Sequence, residues 1–357
     1  MEKYDNFDLI FTYENLWASY KKCRRGVGWK TSTQKVMNKP ITTLATLYNK
    51  VHNGTYKSRG FYCFTIIERG KQRDIKSVHI TERIVQSCLC DFSIIPMFTA
   101  LLIYDNGACM KNKGINFAKD RTNRHLQEYY RSKGDNEGYA LVMDYHSFFD
   151  LILHEVVRKI VMSYYTDSRI INLFMSFVDM FGDIGLGLGS RISQITAVRY
   201  PAAIDTYIKQ VLRIRWYARY MDDSYLIHSS KEYLFACKDK IERLCGEYGI
   251  ELNTKKTQIV KISRGLKFLK QRFILTDTGK VLRIPTKESE KRMRRKLKVF
   301  ARWIESGKMT IEEGTSSYYA WKSHLLRSNA HYRLCRMDNL FALLINKNLG
   351  ENQNGSN

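Results

Sequence analysis

The chain has 357 residues, and its 59 lysines and arginines against 35 aspartates and glutamates give a formal net charge of +24. Such a length can bury a substantial core as one multi-lobed unit or two domains, and such a charge favours a polyanionic partner, nucleic acid ahead of a membrane surface. A bilayer span is excluded for the longest apolar stretch, Phe92 to Tyr104, which is too short and is interrupted by Pro96.

Residues 6–60 read as helical, with Asn15-Leu16-Trp17-Ala18-Ser19-Tyr20 leading into the basic cluster Lys21-Lys22-Cys23-Arg24-Arg25 and Gly26 and Gly28 as breakers. The cluster is either a solvated helix face or, flanked by Trp17, Tyr20 and Trp29, a surface where rings stack on bases and cations track phosphates. Residues 61–143 alternate short strands with helices. Lys71 and Arg73 alternate along a strand after Phe64-Thr65-Ile66-Ile67, so both project from one face. Two cations there suit a triphosphate, and Arg73 can bind a phosphate through two parallel hydrogen bonds. Gly107 to Gly114 is a glycine-bounded basic loop ahead of a long helix, about Ile115 to Arg131.

The next elements carry the acids. Tyr139-Ala140-Leu141-Val142-Met143 is an apolar strand ending in Asp144, an acid that is costly at the end of a buried strand unless it is paired or binds a metal. Gly185, Gly187 and Gly189 allow a backbone path that a Cβ would block, close under a base pair, and a helical pattern from Ser193 to Tyr207 follows. Ile214 to Arg219 and Ser224 to Ile227 read as two strands joined by a tight turn that carries Asp222 and Asp223. Adjacent acids at a hairpin tip repel each other and serve no core, whereas a pair of hard divalent ions would give them a purpose. With Asp144 they can hold two Mg²⁺ ions about 3.5–4 Å apart, one activating a primer 3′-hydroxyl and the other holding a triphosphate.

From Pro285 onward the composition shifts. Lys287, Lys291, Arg292, Arg294, Arg295, Lys296, Lys298 and Arg302 interleave with Met293, Leu297, Phe300, Ala301 and Ile304 at helical spacing, and two further helical stretches lie around 311–326 and 334–346. A cationic three-helix unit suits a nucleic-acid duplex, bound mostly by phosphate neutralisation; a charged bundle against a partner protein is the alternative. The eight cysteines show no paired spacing that would make a disulfide framework or a zinc site, and most are expected to be small buried hydrophobes in a reducing compartment. The charged opening Met1-Glu2-Lys3-Tyr4-Asp5 lacks the apolar core of a signal peptide, so a cytoplasmic location is expected.

In order along the chain these segments resemble a reverse transcriptase of the bacterial and phage type, from about Asn15 to Phe273. Asp144 to Asp150 resembles its first catalytic motif, Gly185 to Gln194 the glycine-rich second, Arg219-Tyr220-Met221-Asp222-Asp223 the third, Gly249 to Thr257 the fourth and Gly265 to Leu269 the primer-gripping hairpin. Lys71-Gln72-Arg73 and Thr81-Glu82-Arg83 resemble the fingers motifs. Five ordered motifs are far more specific than any one of them.

The resemblance implies an α+β right-hand polymerase: fingers and palm over residues 1–282, with a helical extension over 1–60 and a ferredoxin-like antiparallel sheet plus helices in the palm, a helical thumb over 283–349, and a disordered tail over 350–357. It implies an RNA-directed DNA polymerase, catalytic Asp144, Asp222 and Asp223, and two Mg²⁺ ions (or Mn²⁺) held by those acids with Tyr145. Nucleotide contacts are implied for Lys71, Arg73, Phe149, Gln194 and Lys256, and nucleic-acid contacts for Arg83, Tyr220, Met221, Leu269, Arg292 and Arg295. Phe149 would crowd a 2′-hydroxyl and so favour deoxynucleotides, with Phe148 in the core; a register shift of one swaps the two. Gln194 either touches the nucleotide or template or caps its helix, Lys255 competes with Lys256 as the acid toward pyrophosphate, and His146 is a third open position.

Ser193-Gln194 and the Gly107–Gly114 loop look most like the enzymes of diversity-generating retroelements and related anti-phage defence systems. Gly187, Arg199-Tyr200-Pro201 and Leu269-Lys270 depart from the diversity-generating pattern. The partners implied are a template RNA, expected to be a cognate noncoding one, a DNA or RNA primer and dNTPs, with no membrane; an accessory protein or a second copy of the chain stays open. The alternatives are a polymerase of the same fold with template-independent or unusually templated synthesis, and a catalytically decayed RNA-binding scaffold.

Overall fold

The computed structural model describes residues 2–68 and 70–346. The expected tail, 350–357, lies outside them, as do the last residues of the expected thumb. The amino-terminal region folds as α1 (Phe7–Ile10), α2 (Tyr13–Cys23), α3 (Thr31–Asn38) and α4 (Pro40–His52). Asn6 and Thr12 cap the first two helices, each side-chain oxygen accepting a backbone N–H three residues on, at 3.1 and 3.2 Å. Gly26, with φ of 72°, breaks the chain after α2. Tyr20 is buried in this region's core, so of the expected stacking rings only Trp29 is openly exposed and Trp17 half-buried.

Next comes an antiparallel hairpin of β1 (Phe61–Glu68) and β2 (Lys71–Val78), with Glu68 opposite Lys71 and Phe61 opposite Val78. Helices α5 (Ile80–Leu89), α6 (Ile95–Ala100) and α7 (Ile115–Lys133) lead to β3 (Tyr139–Asp144), and α8 (His154–Met162) and α9 (Ser168–Asp179) to the glycine-rich run. The single helix expected over 193–207 is two, α10 (Arg191–Arg199) and α11 (Ala202–Thr206), because Pro201 cannot donate to a helix passing through it. The hairpin β4 (Trp216–Tyr220) and β5 (Asp223–His228), α12 (Lys231–Glu247) and β6 (Gln258–Lys261) complete a four-stranded sheet ordered β4-β5-β3-β6. A second sheet, β7 (Leu266–Phe268), β8 (Gln271–Leu275) and β9 (Val281–Pro285), is antiparallel throughout. Three helices follow: α13 (Lys287–Glu305), α14 (Ile311–Ser323) and α15 (His331–Phe341). Helices with antiparallel sheets make the α+β class that the sequence predicts.

The described residues fall into two compact units, one made of Met1–Ala118, Met143–Ser224 and Phe235–Thr257, the other of the remaining segments. In the first, α5 is buried along almost its whole length, and Asp91 gathers Lys22 (2.8 Å), Arg191 and the Ser87 hydroxyl (3.2 Å), tying α2, α5 and α10 together. In the second, Met293, Leu297 and Phe300 of α13 pack with Tyr318 and Met337, and the Tyr318 ring stacks on Phe341 with centroids 4.4 Å apart. The apolar stripe read from α13 is therefore its buried face. Four of the eight cysteines (Cys88, Cys90, Cys237 and Cys245) are buried and three are exposed, which corrects the expectation that most are core residues.

The glycine-rich run is shaped by the protein itself. A Cβ on Gly185 would lie 2.8 Å from the Asp150 carbonyl oxygen, one on Gly187 2.3 Å from the Phe181 ring, and one on Gly189 2.9 Å from the Lys76 carbonyl oxygen. Leu188 between them accepts the Lys76 N–H at 2.9 Å and bridges Ile75 of β2 in parallel fashion. Gly185 also has φ of 82°, left-handed backbone that side chains resist. Gly185→Ala should lower stability by about 1–3 kcal/mol, read as a lower urea midpoint with an unchanged slope.

Candidate active site

Asp144 closes β3, and the turn Met221-Asp222 joins β4 to β5, whose first residue is Asp223. All three acids belong to the first unit. Asp144 is 5% exposed, and both its carboxylate oxygens accept from Lys256 Nζ, at 2.6 and 2.8 Å. The fourth motif is folded to make that contact. The Asp144 carbonyl accepts the Asn253 N–H at 2.8 Å, and the Asn253 carbonyl then accepts the N–H groups of Lys256 (3.1 Å) and Thr257 (2.8 Å). The Asn253 side chain takes the Lys255 N–H at 3.2 Å, closing a turn of the kind asparagine favours. Of the two competing lysines, Lys256 is the one that reaches the acids.

The acids feel one another. Burial raises the Asp222 carboxyl above its ordinary value and Asp144 adds to the rise, while Lys256 and Arg73 oppose it. Burial, then Asp222 and Asp144, push Asp223 up to about 7. Burial works against the charge on Lys256, but its bond to Asp144 outweighs burial and raises it. Among the described residues no three His, Cys, Asp or Glu side chains form a ready cage for a metal ion, and Lys256 holds both oxygens of Asp144. The donor chemistry still suits a hard divalent ion: oxygen ligands only, desolvated, with negative charge in excess of the cations facing it. The Tyr145 hydroxyl is buried without a hydrogen-bond partner and burial keeps the phenol protonated, so the backbone carbonyl is the better ligand it offers a hard ion. The bridge to Leu252 runs through the flanking residues, Asp144 and His146, and leaves the Tyr145 carbonyl out of it.

The other expected residues divide between the units. Arg73, 2.9 Å from Glu68, is close enough to Asp222 for its charge to be felt there. Lys71 begins β2 opposite Glu68. Phe148 is buried and Phe149 half-buried, with the Phe149 carbonyl accepting the Leu186 N–H at 2.7 Å. Gln194 lies one turn inside α10 rather than at its cap, which is Ser190, and it is exposed. With Arg83, Lys22, Arg25 and Arg191 it lines a cavity of about 430 Å³. Tyr220 and Met221 sit at the turn, and a Cβ on Gly107 would meet the Tyr220 ring at 3.2 Å. His146 is exposed, 3.5 Å from Glu251. Leu269, Arg292 and Arg295 belong to the second unit. Leu269 and Lys270 turn the β7–β8 hairpin with φ of 46° and 63°, and Arg292 and Arg295 are exposed on α13.

Residues 69–273 match the family described as Reverse transcriptase (RNA-dependent DNA polymerase). The chain belongs to that family. The match takes in all five motifs of this reverse transcriptase up to Phe273, and the fold that carries them is α+β, helices with antiparallel sheets. Among the solved structures similar to the chain are an apo telomerase from Candida tropicalis truncated from its C-terminal domain and a telomerase from Candida albicans in complex with a fragment of telomeric RNA. The first is 15% identical at a TM-score of 0.48, covering 62% of this chain and 54% of that one; the second is 11% identical at 0.47, covering 86% and 62%. The chain thus spans less than two thirds of either telomerase. No curated protein matches it.

The residues that sequence reasoning passed over are Asp205, Asn253 and the side chain of Arg219. Arg219 and Asp205 are both fully buried and joined at 2.7 Å. A charge inside each of two apolar runs was the available signal, since buried charges require partners.

The Asp223 carboxyl yields a pH prediction. Between about pH 4 and 7 the unfolded chain has given up this proton while the metal-free fold retains it, so stability falls as pH rises through that window. In chelator, Asp223→Asn should melt higher than the wild type at about pH 8 and lose that advantage toward about pH 4. Parallel melting curves for the two proteins across pH would contradict this.

Proposed function

We propose that this reverse transcriptase is an RNA-directed DNA polymerase that extends a primer 3′-hydroxyl with dNTPs on an RNA template by two-metal phosphoryl transfer. One observation carries the reading: Asp144, Asp222 and Asp223 are held where burial and mutual repulsion leave two of them with raised pKa values, a state that divalent cations would relieve. Bound there, two Mg²⁺ ions would lower the pKa of the attacking hydroxyl and neutralise charge on the triphosphate and the departing pyrophosphate.

The chain's own residues supply the remainder. Asp144, Asp222 and Asp223 would hold the ions, with Tyr145 offering its carbonyl. Lys71 and Arg73 take the triphosphate, and Arg73 exchanges its bond to Glu68 for a phosphate. Lys256, bonded to Asp144 in the metal-free protein, would be released to donate a proton to pyrophosphate. Phe149 excludes the 2′-hydroxyl. Gln194 and Arg83, beside Lys22, Arg25 and Arg191, offer a basic, hydrogen-bonding wall for template or nucleotide. Tyr220, Met221 and Leu269 contact the primer, and Arg292 and Arg295 bind duplex phosphates from a helical thumb over 283–349. Lys261, Arg264, Lys267 and Arg272, which line one basic cleft of the second unit, suit the same partner.

The finer reading is of a cytoplasmic enzyme that copies a cognate noncoding RNA in an anti-phage defence or diversity-generating system. Ser193-Gln194 and the Gly107–Gly114 loop support it. Among the described residues no helix is long and apolar enough to cross a membrane. Sequencing the nucleic acid that copurifies with the protein tests this lineage: a defined neighbouring transcript and its DNA copy are expected.

Asp222→Asn and Asp144→Asn should each slow nucleotide incorporation by roughly 10²–10³-fold or more while RNA retention stays near wild type. Wild-type extension by Asp222→Asn would refute the metal assignment. Phe149→Ala should raise incorporation of ribonucleotides over deoxynucleotides by roughly tenfold or more, measured by single-nucleotide extension with each substrate; an unchanged ratio would move the gate to another residue.

A further inference from the structure

We infer that Arg219 is a positioning residue for the acid pair, holding the turn that carries Asp222 and Asp223 at a fixed height by a charged hydrogen bond to the Met221 carbonyl. The inference rests on the proposed role of those acids in metal binding, and it concerns a group that itself touches no substrate. Arg219 is wholly enclosed, and all three of its guanidinium nitrogens are engaged. Nε donates to both Asp205 oxygens, at 2.8 and 2.9 Å. Nη2 donates to Asp205 Oδ2 at 2.7 Å and to the Val198 carbonyl at 2.9 Å. Nη1 donates to the Met221 carbonyl at 3.1 Å.

Each of those bonds fixes something different. Asp205 on α11 also accepts the Tyr217 hydroxyl at 2.5 Å, so the carboxylate is locked from two strand positions. Val198 lies in the last turn of α10, the helix that begins at the glycine-rich motif. The Arg219 backbone is held as well, its N–H donating to the Asp105 carbonyl at 3.2 Å and its carbonyl accepting the Gly107 N–H at 3.0 Å. The guanidinium thus refers the turn to α10 and α11 together, while the main chain of β4 is pinned by the 105–107 loop.

The bond to Met221 matters because of the conformation there. Met221 has φ of 56°, left-handed backbone in a residue that is not glycine, and such a turn persists only where its surroundings hold it. Its carbonyl belongs to the peptide from which Asp222 departs. A rotation of that peptide would swing both carboxylates, and the guanidinium opposes it with a planar, directional donor. Stability alone does not account for the arrangement, since a buried ion pair is generally no more stabilising than apolar residues of the same volume. Its value lies in geometry.

Two variants test this. Arg219→Lys keeps a positive charge beside Asp205, but a single ammonium cannot serve Asp205, Val198 and Met221 at once. Arg219→Met with Asp205→Leu removes both charges at similar volume. For each, the readouts are the Mg²⁺ concentration giving half of the metal-induced rise in melting temperature, and kcat and KM for dNTP on a primed RNA template. The expected result is folded protein whose half-saturating Mg²⁺ is raised about tenfold or more, with kcat reduced and dNTP KM and primer–template Kd near wild type. Wild-type Mg²⁺ half-saturation and kcat in a folded variant overturn the inference. So does a loss in which KM and Kd worsen together with Tm, which is what general loosening would produce. Asp222→Asn run alongside separates the two failures: if it keeps the Mg²⁺-induced rise, the metal assignment is at fault, and if it loses the rise while Arg219→Lys is normal, the positioning role is.

Discussion

Like charge crowded at one place is the constraint around which the first unit is built. Two unit charges about 4 Å apart interact by roughly 4 kcal/mol at an effective dielectric near 20, and here the repulsion acts on carboxylates already short of water. The fold does not relax it by spreading the acids or opening them to solvent. Asp144 stays at the end of a buried strand, and the turn keeps Asp222 and Asp223 adjacent. What the chain supplies instead is removable compensation. Lys256 rides on a turn made by Asn253, itself bonded to the Asp144 backbone, and Arg73 stands on a hairpin with many exposed side chains, its guanidinium on Glu68. Both are long flexible side chains whose partners can be exchanged, so the charge balance of the metal-free protein can be altered without moving the strands.

The scaffold beneath is of the opposite character. Asp91 with Arg191, Ser87 and Lys22 fastens three helices, and Asp205 with Arg219 and Tyr217 fastens a fourth, α11, to the central hairpin. Asp205, Arg219 and Tyr217 are fully buried and Asp91 and Arg191 half-buried, and both Asp91 and Asp205 gather several partners. The glycine-rich run belongs with them, because its missing side chains let Leu188 bond directly to β2. A hairpin bearing candidate phosphate-binding cations is in this way tied to the helix bearing Gln194 by backbone contacts within one unit.

How much of this was legible follows from which forces leave a pattern in one dimension. Strand β3, the β4–β5 hairpin and α13 were readable because burial imposes a period on apolar residues. Glycine-rich and acidic motifs were readable because their composition is unusual. The glycines were read in part: a Cβ would be blocked as expected, and the groups that block it here, Asp150, Phe181 and Lys76, leave no mark in the sequence. The reading of Tyr20 as a stacking ring failed for a related reason, since an aromatic beside a basic cluster has the same composition whether it faces nucleic acid or the core. Pairings across long separations, Asp205 to Arg219 or Asn253 to Asp144, leave no period at all. Only the anomaly of a charge within an apolar run announces them, and it names no partner.

Helix α13 carries part of the chain's excess positive charge on one exposed surface. Two of its three acids, Glu288 and Glu290, stand in the first turn, where a helix favours negative charge, and the third, Glu305, closes it. Beyond them Lys291, Arg292, Arg295, Lys296 and Lys298 are exposed, and the ion pair formed along the helix is Arg294 with Glu290. Cations spaced this closely repel one another and weaken the helix that carries them. The apolar face packed on α14 and α15 must therefore hold α13 together against its own surface. A surface of this kind gains most from a partner that is itself a line of negative charge, because every neutralised phosphate releases a condensed counterion. The first unit gathers excess negative charge at one point and the second spreads positive charge along a helix. The two imbalances answer different needs, one suited to small hard cations and the other to a polyanion.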